Sequence, residues 1–391
     1  MPLIHLTDML NHAYRHNYAV GAFGVVNLDF LEGVMQAAEN CRAPVIINLI
    51  ESHFTHYDFE LLMPAVLTAA RRAKVPVAIY LDHGSSIESA KRGIRAGCNG
   101  VMVDTSQLPL DENLKLTREV AALAHACGVG VEGELGYVPG NAEDEEENDL
   151  DGLTYTLPAE AKAMVKRTGI DCLAVSIGTV HGRKKGSPKL DFTRLAKLQE
   201  AAGIPLVIHG GTGLSDEQYR KLIAHGVTKI NYYTALSEVA ANSINANAGP
   251  DRKSYKMVTH SVRSAIREEV ERCIRIWGSS GRAAEVMAQC RPWREVERIM
   301  MYNQPESMSE EAATAMMRQG KETLSAIPGV RLVQTGTSAN GEKYRRCWLV
   351  RLATPEAAAS FNSHPDQLKF ANSLSQYGAT DRTAMDFELS D

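Results

Sequence analysis

Apolar residues recur in two alternating textures along residues 1 to 235. Short continuous apolar runs are each followed by a longer stretch with apolar residues at helical spacing. A continuous run bounded by turn residues reads as a strand buried on both faces, and the stretch after it as a helix packed over that strand. The runs predict strands over 20–25, 44–50, 75–81, 100–103, 129–134, 173–180, 205–208 and 228–231. Helices are predicted over 28–41, 59–73, 86–96 and 111–127. Pro76 and Pro205 end helices just before the third and seventh strands. Strand-then-helix alternation implies a parallel sheet. Eight such units suit a closed (β/α)8 TIM barrel better than an open sheet.

The pattern breaks twice. Residues 139–151 are acidic and without periodicity, which predicts a mobile loop after the fifth strand. Beyond helices over 236–246 and 262–276, Gly278-Ser279-Ser280-Gly281 interrupts the chain. A different order follows: a strand over 294–303, a helix over 309–326, a hairpin of 330–335 and 344–352, a helical stretch over 355–374 interrupted at His364-Pro365, and a strand over 383–388. This β-α-β-β-α-β order predicts a small α+β ferredoxin-like domain. The domains are expected over 1–285 and 293–391.

The 391 residues suit two domains, and 44% hydrophobic with 23% charged is ordinary for a globular chain. A net charge of −5 supplies no basic field for nucleic acid. No apolar run reaches the roughly 18 residues of a membrane helix, and the N-terminus lacks a secretory pattern. Seven scattered cysteines without a CxxC pair read as reduced thiols in a cytoplasmic protein.

Candidate chemistry gathers at strand ends. The third, sixth and seventh predicted strands end in His83, His181 and His209, each followed by glycine. On adjacent parallel strands these imidazoles would meet, and three nitrogens with an open position suit catalytic Zn²⁺. Asp82 precedes a ligand; strand-end twist would bring it to the mouth as an acid/base or as an orienter of a histidine. Asp104 and Glu134 also end strands, and could hold a second cation, orient the histidines or pair with a buried base. His209-Gly210-Gly211-Thr212-Gly213 precedes a helix and offers backbone N–H groups to an anion. Asn231, Thr234 and Lys185 could join that phosphate cradle. A zinc Lewis acid, a carboxylate and a phosphate anchor together describe metal-assisted aldol cleavage and condensation.

These residues resemble the class II, zinc-dependent ketose-bisphosphate aldolases. The motifs are Leu81-Asp82-His83-Gly84-Ser85-Ser86, Val101-Met102-Val103-Asp104, Val131-Glu132-Gly133-Glu134-Leu135-Gly136, Gly178-Thr179-Val180-His181-Gly182 with Lys185, and the glycine run after His209. The resemblance implies reversible cleavage of a phosphorylated ketose to dihydroxyacetone phosphate and an aldehyde through a zinc-bound enediolate. It makes His83, His181 and His209 the ligands of one Zn²⁺ and puts Asp104 and Glu134 around an alternative metal position. It makes Asp82 the residue that moves the proton of the aldehyde-side hydroxyl. Gly182, Lys185, Gly210, Gly211, Thr212, Asn231 and Thr234 would hold the phosphate end, with a monovalent cation nearby. Glu143 is the nearest equivalent of the loop base, although the acidic run blurs its register. The implied assembly is a homo-oligomer, dimer or tetramer.

Departures from the family pattern fall on the aldehyde half. Tyr233 stands where members read stereochemistry, and Glu51 after the second strand would repel a phosphate. These favour a substrate other than fructose 1,6-bisphosphate as the alternative; a non-catalytic sugar-phosphate binding protein is the third reading. The tail, about 293–391, resembles the stress-responsive dimeric α/β-barrel domains through Ala326-Ile327-Pro328-Gly329-Val330 and Phe361-Asn362-Ser363-His364-Pro365.

Overall fold

The structure, a computed structural model, describes residues 2–139, 153–182, 189–249, 251, 254–340 and 343–389. Eight strands, β1 (Val20–Gly24), β2 (Val45–Ile50), β3 (Val77–Gly84), β4 (Gly100–Val103), β5 (Gly130–Leu135), β6 (Cys172–Val175), β7 (Leu206–Ile208) and β8 (Val227–Tyr232), form a closed barrel in chain order. All pairs are parallel, and β1 closes the ring on β8.

Period-two alternation fills this barrel. Ala22, Ile46, Ala78, Tyr80, Met102, Ala174 and Val207 belong to an interior cluster. The intervening residues join the larger cluster under the surrounding helices. Two residues further along each strand, Ile46 gives way to Asn48, Tyr80 to Asp82 and Val207 to His209. The interior therefore changes from dry to polar toward the carboxyl end.

Helix Leu6–His16, which lies outside the predicted elements, seals the other end: Leu6, Met9, Leu10 and Ala13 sit at i, i+3, i+4, i+7 and join the interior cluster. The predicted sixth strand is shortened. Its pairing ends at Val175, because the Ser176 N–H donates to Thr156 Oγ1 at 2.8 Å rather than to a neighbouring strand. Gly178 then adopts φ 115°, where a Cβ would lie 2.7 Å from the Lys189 carbonyl oxygen. His181 thus lies in a loop, not at a strand end.

The remaining strands, β9 (Val296–Asn303), β10 (Val330–Thr337), β11 (Arg346–Leu352) and β12 (Thr380–Glu388), form an antiparallel sheet in the order β10-β11-β9-β12. With helix Glu310–Ser325 after β9 and helices Pro355–Ser363 and Pro365–Gln376 after β11, this is a ferredoxin-like α+β unit. Its core centres on buried Trp348, set edge-on to Phe370 at 4.9 Å. The predicted interruption at His364-Pro365 is the helix break, since proline opens the second helix.

Ion pairs join this unit to the barrel. Buried Glu295 accepts from Arg71 Nη2 at 3.1 Å and from Arg331, whose Nη2 also donates to the Ala96 carbonyl at 3.0 Å. Thr354 Oγ1 donates to the Cys127 carbonyl at 2.9 Å. Glu295→Ala is expected to lower stability by about 3 kcal/mol, because Arg331 keeps its charge in a buried position and loses its counter-ion. Urea unfolding of both proteins measures this, and a change below about 1 kcal/mol would place the pair among exposed ones.

Candidate active site at the barrel mouth

Strand β3 delivers two adjacent residues to one cleft by breaking its own alternation. Its register with β4 shifts between Leu81 and Gly84, and His83 takes the left-handed φ of 49°. Asp82 keeps the inward position, while the bulge swings His83 to the same side. A non-glycine residue held there costs about 1–3 kcal/mol, a cost tolerated where geometry matters more than stability. Gly84 is also required, because a Cβ would sit 2.7 Å from the Met102 carbonyl oxygen.

The three predicted histidines meet. Ring centroids lie 5.0 Å apart for His83 and His181, 4.7 Å for His83 and His209, and 5.7 Å for His181 and His209. One ligand atom from each lies within 4.8 Å of the others. One nitrogen of each ring is engaged by an orienting oxygen: His83 Nδ1 with Asp104 Oδ2 at 2.9 Å, His181 Nδ1 with the Val138 carbonyl at 3.1 Å, and His209 Nε2 with Glu132 Oε1 at 2.8 Å. The opposite nitrogens are Nε2 of His83 and His181 and Nδ1 of His209. This donor set fits a metal ion: histidine ligands characteristically pass their second nitrogen to a carboxylate or carbonyl. Buried His209 Nδ1 and Glu134 Oε2 make no hydrogen bond and stand 3.3 Å apart. His83, Asp104 and Glu134 form a second overlapping ligand set, also within 4.8 Å.

Asp82 is fully sequestered. Asn48 Nδ2 and Asn231 Nδ2 both donate to its Oδ2, at 2.7 and 2.9 Å, while Oδ1 is buried without a hydrogen bond. Burial raises its pKa, but the charges of His83, Lys229 and His209 and the Asn48 hydrogen bond outweigh that and lower it to about 2. Glu134 goes the other way: burial, reinforced by the Asp104 and Glu132 charges, raises it to about 7.

Three residues outside the predicted set tie this site together: Asn48, Glu132 and Lys229. Lys229, fully buried, donates to Asn231 Oδ1 at 2.7 Å, pairs with Glu132 Oε2 at 2.9 Å and lies 4.0 Å above the Tyr80 ring. A continuous polar path therefore runs from His209 through Glu132, Lys229 and Asn231 to Asp82 and Asn48. The signal was in the alternation: Glu132 and Lys229 each stand two residues before a predicted site residue on the same strand, so they share its inward face.

The other predicted residues divide. Asp82, His83, Asp104, His181, Gly182, Gly210, Gly211, Thr212, Asn231, Tyr233 and Thr234 line one cleft. Gly210 has φ 65°, and a Cβ there would lie 2.0 Å from the Val180 carbonyl oxygen. Asn231 was expected in the phosphate cradle, yet its amide is engaged by Asp82 and Lys229. The Tyr233 ring lies tilted against buried His53 at 4.4 Å and 6.1 Å from Phe30. Glu51 is not among the lining residues, although Ile50 and Ser52 are. Its Oε2 accepts from the Ser85 N–H at 2.5 Å, so its charge serves the turn after His83-Gly84. Lys185 and Glu143 lie outside the described residues.

Metal uptake is expected to release protons. Burial lowers the pKa of metal-free His83, but Asp82, the Asp104 hydrogen bond and Glu134 together raise it to about 10. Burial with His83 and His209 nearby lowers that of His181 to about 3. At pH 8 one proton therefore has to leave His83 on loading, and affinity falls as pH falls. Calorimetry in buffers of different ionisation heats counts the proton; equal heats across buffers would contradict the expectation.

A closed parallel barrel that gathers three imidazoles, carboxylates and a glycine-rich helix start over one cleft defines an α/β-barrel enzyme with a metal-type centre. Residues 4–282 match the family model described as fructose-bisphosphate aldolase class-II, and the chain belongs to that family. It is 41% identical over 290 residues to the fructose-bisphosphate aldolase of Geobacillus stearothermophilus, across 73% of this chain and 100% of that protein. It is 38% identical over 288 residues to the Staphylococcus epidermidis fructose-bisphosphate aldolase, across 72% of this chain and 100% of that protein. The crystal structure of the YdjI aldolase from Escherichia coli superposes with a TM-score of 0.65 at 33% identity, covering 72% of this chain and 99% of that one. The chain is thus a class II aldolase, a carbon–carbon lyase of the aldol-cleavage type. The sheet β9–β12 lies beyond the family match.

Proposed function

We propose that this enzyme cleaves a phosphorylated ketose reversibly to dihydroxyacetone phosphate and an aldehyde, with His83, His181 and His209 holding one Zn²⁺. The observation that carries the reading is Asp82 Oδ1: a buried, unshared carboxylate oxygen in the cleft that His83 and His181 also line, with His209 packed against both rings. Bound there, zinc would supply a Lewis acid for a substrate carbonyl oxygen. Asp82 takes the proton from the substrate hydroxyl in cleavage and returns it in condensation. Asn48 and Asn231 hold its other oxygen, so the carboxylate is aimed before substrate arrives. Asp104 and Glu132 set the rings of His83 and His209. The backbone N–H groups around Gly210, Gly211 and Thr212, and the start of helix Thr234–Asn247, offer positive potential to the phosphate. Gly182 and Lys185 are assigned to the same phosphate, and Glu143 is assigned the role of second base.

Fructose 1,6-bisphosphate is the first ketose to test, on the names of the relatives. A different aldehyde half is favoured by one feature: Tyr233, packed on His53 and Phe30, puts a bulky ring in the wall of the cleft. The tail supports a homodimer. Leu332, Met385 and Phe387 are 39%, 46% and 45% exposed on the sheet face opposite Trp348, an apolar face that a second copy would cover. Among the described residues no helix is long and apolar enough to cross a membrane, and all seven cysteines are free thiols, six of them buried. We place the enzyme in the cytoplasm.

The test is proton exchange into dihydroxyacetone phosphate in deuterated water, with and without chelator. This half-reaction needs no aldehyde. Metal-dependent exchange, abolished in His83→Asn, is expected; metal-loaded protein without exchange would remove the aldolase assignment of the site.

A further inference from the structure

A second cluster of metal-type donors lies at the sealed end of the barrel, away from the catalytic mouth. His12 and His16 are one helical turn apart on helix Leu6–His16, so both imidazoles share a face. Glu285, in the first turn of helix Ala283–Gln289, meets them there. Its Oε1 lies 3.6 Å from His12 Nε2 and 3.5 Å from His16 Nδ1. One ligand atom from each residue lies within 4.8 Å of the others. Four-coordinate zinc with bonds of about 2.0–2.2 Å separates its ligands by roughly 3.4 Å, so the two distances to Glu285 already match a shared ion.

Three further observations favour a cation over a simple polar contact. His12 is wholly buried, and its Nε2, aimed at Glu285, makes no hydrogen bond. The opposite nitrogen, Nδ1, is 2.9 Å from the Tyr18 hydroxyl, an orienting contact of the kind metal-bound histidines make. Arg282 Nη1 donates to Glu285 Oε2 at 2.9 Å, which leaves Oε1 for the histidine side. His16 is partly exposed, so an ion reaches the cluster from solvent and completes its shell with water.

We propose that His12, His16 and Glu285 form a structural site for a borderline divalent ion of the zinc type, bound by two nitrogens and one oxygen. Hard ions such as Mg²⁺ and Ca²⁺ prefer all-oxygen shells and would not compete. The site fastens the helix that leads into the tail domain onto the helix that seals the barrel. Its role is to hold the two ends of the barrel segment together; it lies outside the reacting cleft.

The experiment compares metal content of the full chain and His16→Ala after loading with Zn²⁺ and desalting. His16 is the exposed member, and its loss leaves the buried core intact. The expected result is one zinc equivalent fewer in His16→Ala at equal cleavage activity. A difference is the readout, so the result does not depend on how many ions the catalytic cleft holds. Tyr18→Phe, which keeps the ring and removes the orienting hydroxyl, is expected to weaken binding of that equivalent about 10–100-fold. Equal zinc content in wild type and His16→Ala, or retention of the equivalent only when Mg²⁺ is absent, would overturn the proposal.

Discussion

Asp82→Asn is expected to lower ketose cleavage by about 10²–10⁴-fold while metal content stays at the wild-type level. Asparagine keeps the shape, and its carbonyl oxygen still accepts from Asn48 and Asn231. The change removes a base with a pKa lowered to about 2 and puts an amide at the position of Oδ1. Proton transfer at the substrate hydroxyl then has no acceptor on this side of the cleft. Exchange into dihydroxyacetone phosphate should suffer less than cleavage, because that step acts on a carbon proton. Equal losses in both reactions would show that Asp82 positions the site and does not carry the hydroxyl proton.

Lys229→Met is expected to destabilise the fold by about 3–5 kcal/mol. Lys229 and Glu132 are both fully buried and 2.9 Å apart. Removing the ammonium leaves the Glu132 carboxylate charged in the barrel interior with His209 and the weak thiol donor of Cys172 beside it. It also strips a donor from Asn231 and a cation from the Tyr80 ring. The double variant Lys229→Met with Glu132→Gln should recover part of the loss, since it removes the stranded charge as well. Urea midpoints of metal-loaded proteins measure both. A loss under about 1 kcal/mol in the single variant would mean that water reaches Glu132 and that the pair is solvated.

These two variants probe different kinds of information. Asp82 was legible along the chain because an apolar run stops at it and a histidine and glycine follow. Period-two alternation and the glycines after each histidine sufficed to expect a barrel mouth with a metal-type cluster. The same local patterns marked the ferredoxin-like order of the tail and the helix break at Pro365. Such features depend on neighbours a few residues away, where backbone sterics and the choice between burial and solvent act directly.

The network around Asp82 is of another kind. Glu132 and Lys229 read singly as charges inside two separate strands, and only barrel closure brings them within hydrogen-bonding distance. His83 reaches the mouth through a bulge and a left-handed φ that the pairing of β3 with β4 imposes. Glu51 read as a charge facing substrate, yet the fold spends it on the Ser85 N–H. His181 read as a strand end, yet Thr156 ends β6 early by taking the Ser176 N–H. In short, the chain's local pattern determined the elements, the barrel and the identity of the candidate ligands, because period and turn chemistry are short-range. Which buried charges pair, and which nitrogen of each histidine faces the cleft, was decided by tertiary structure, because desolvation makes those groups find partners contributed by distant strands.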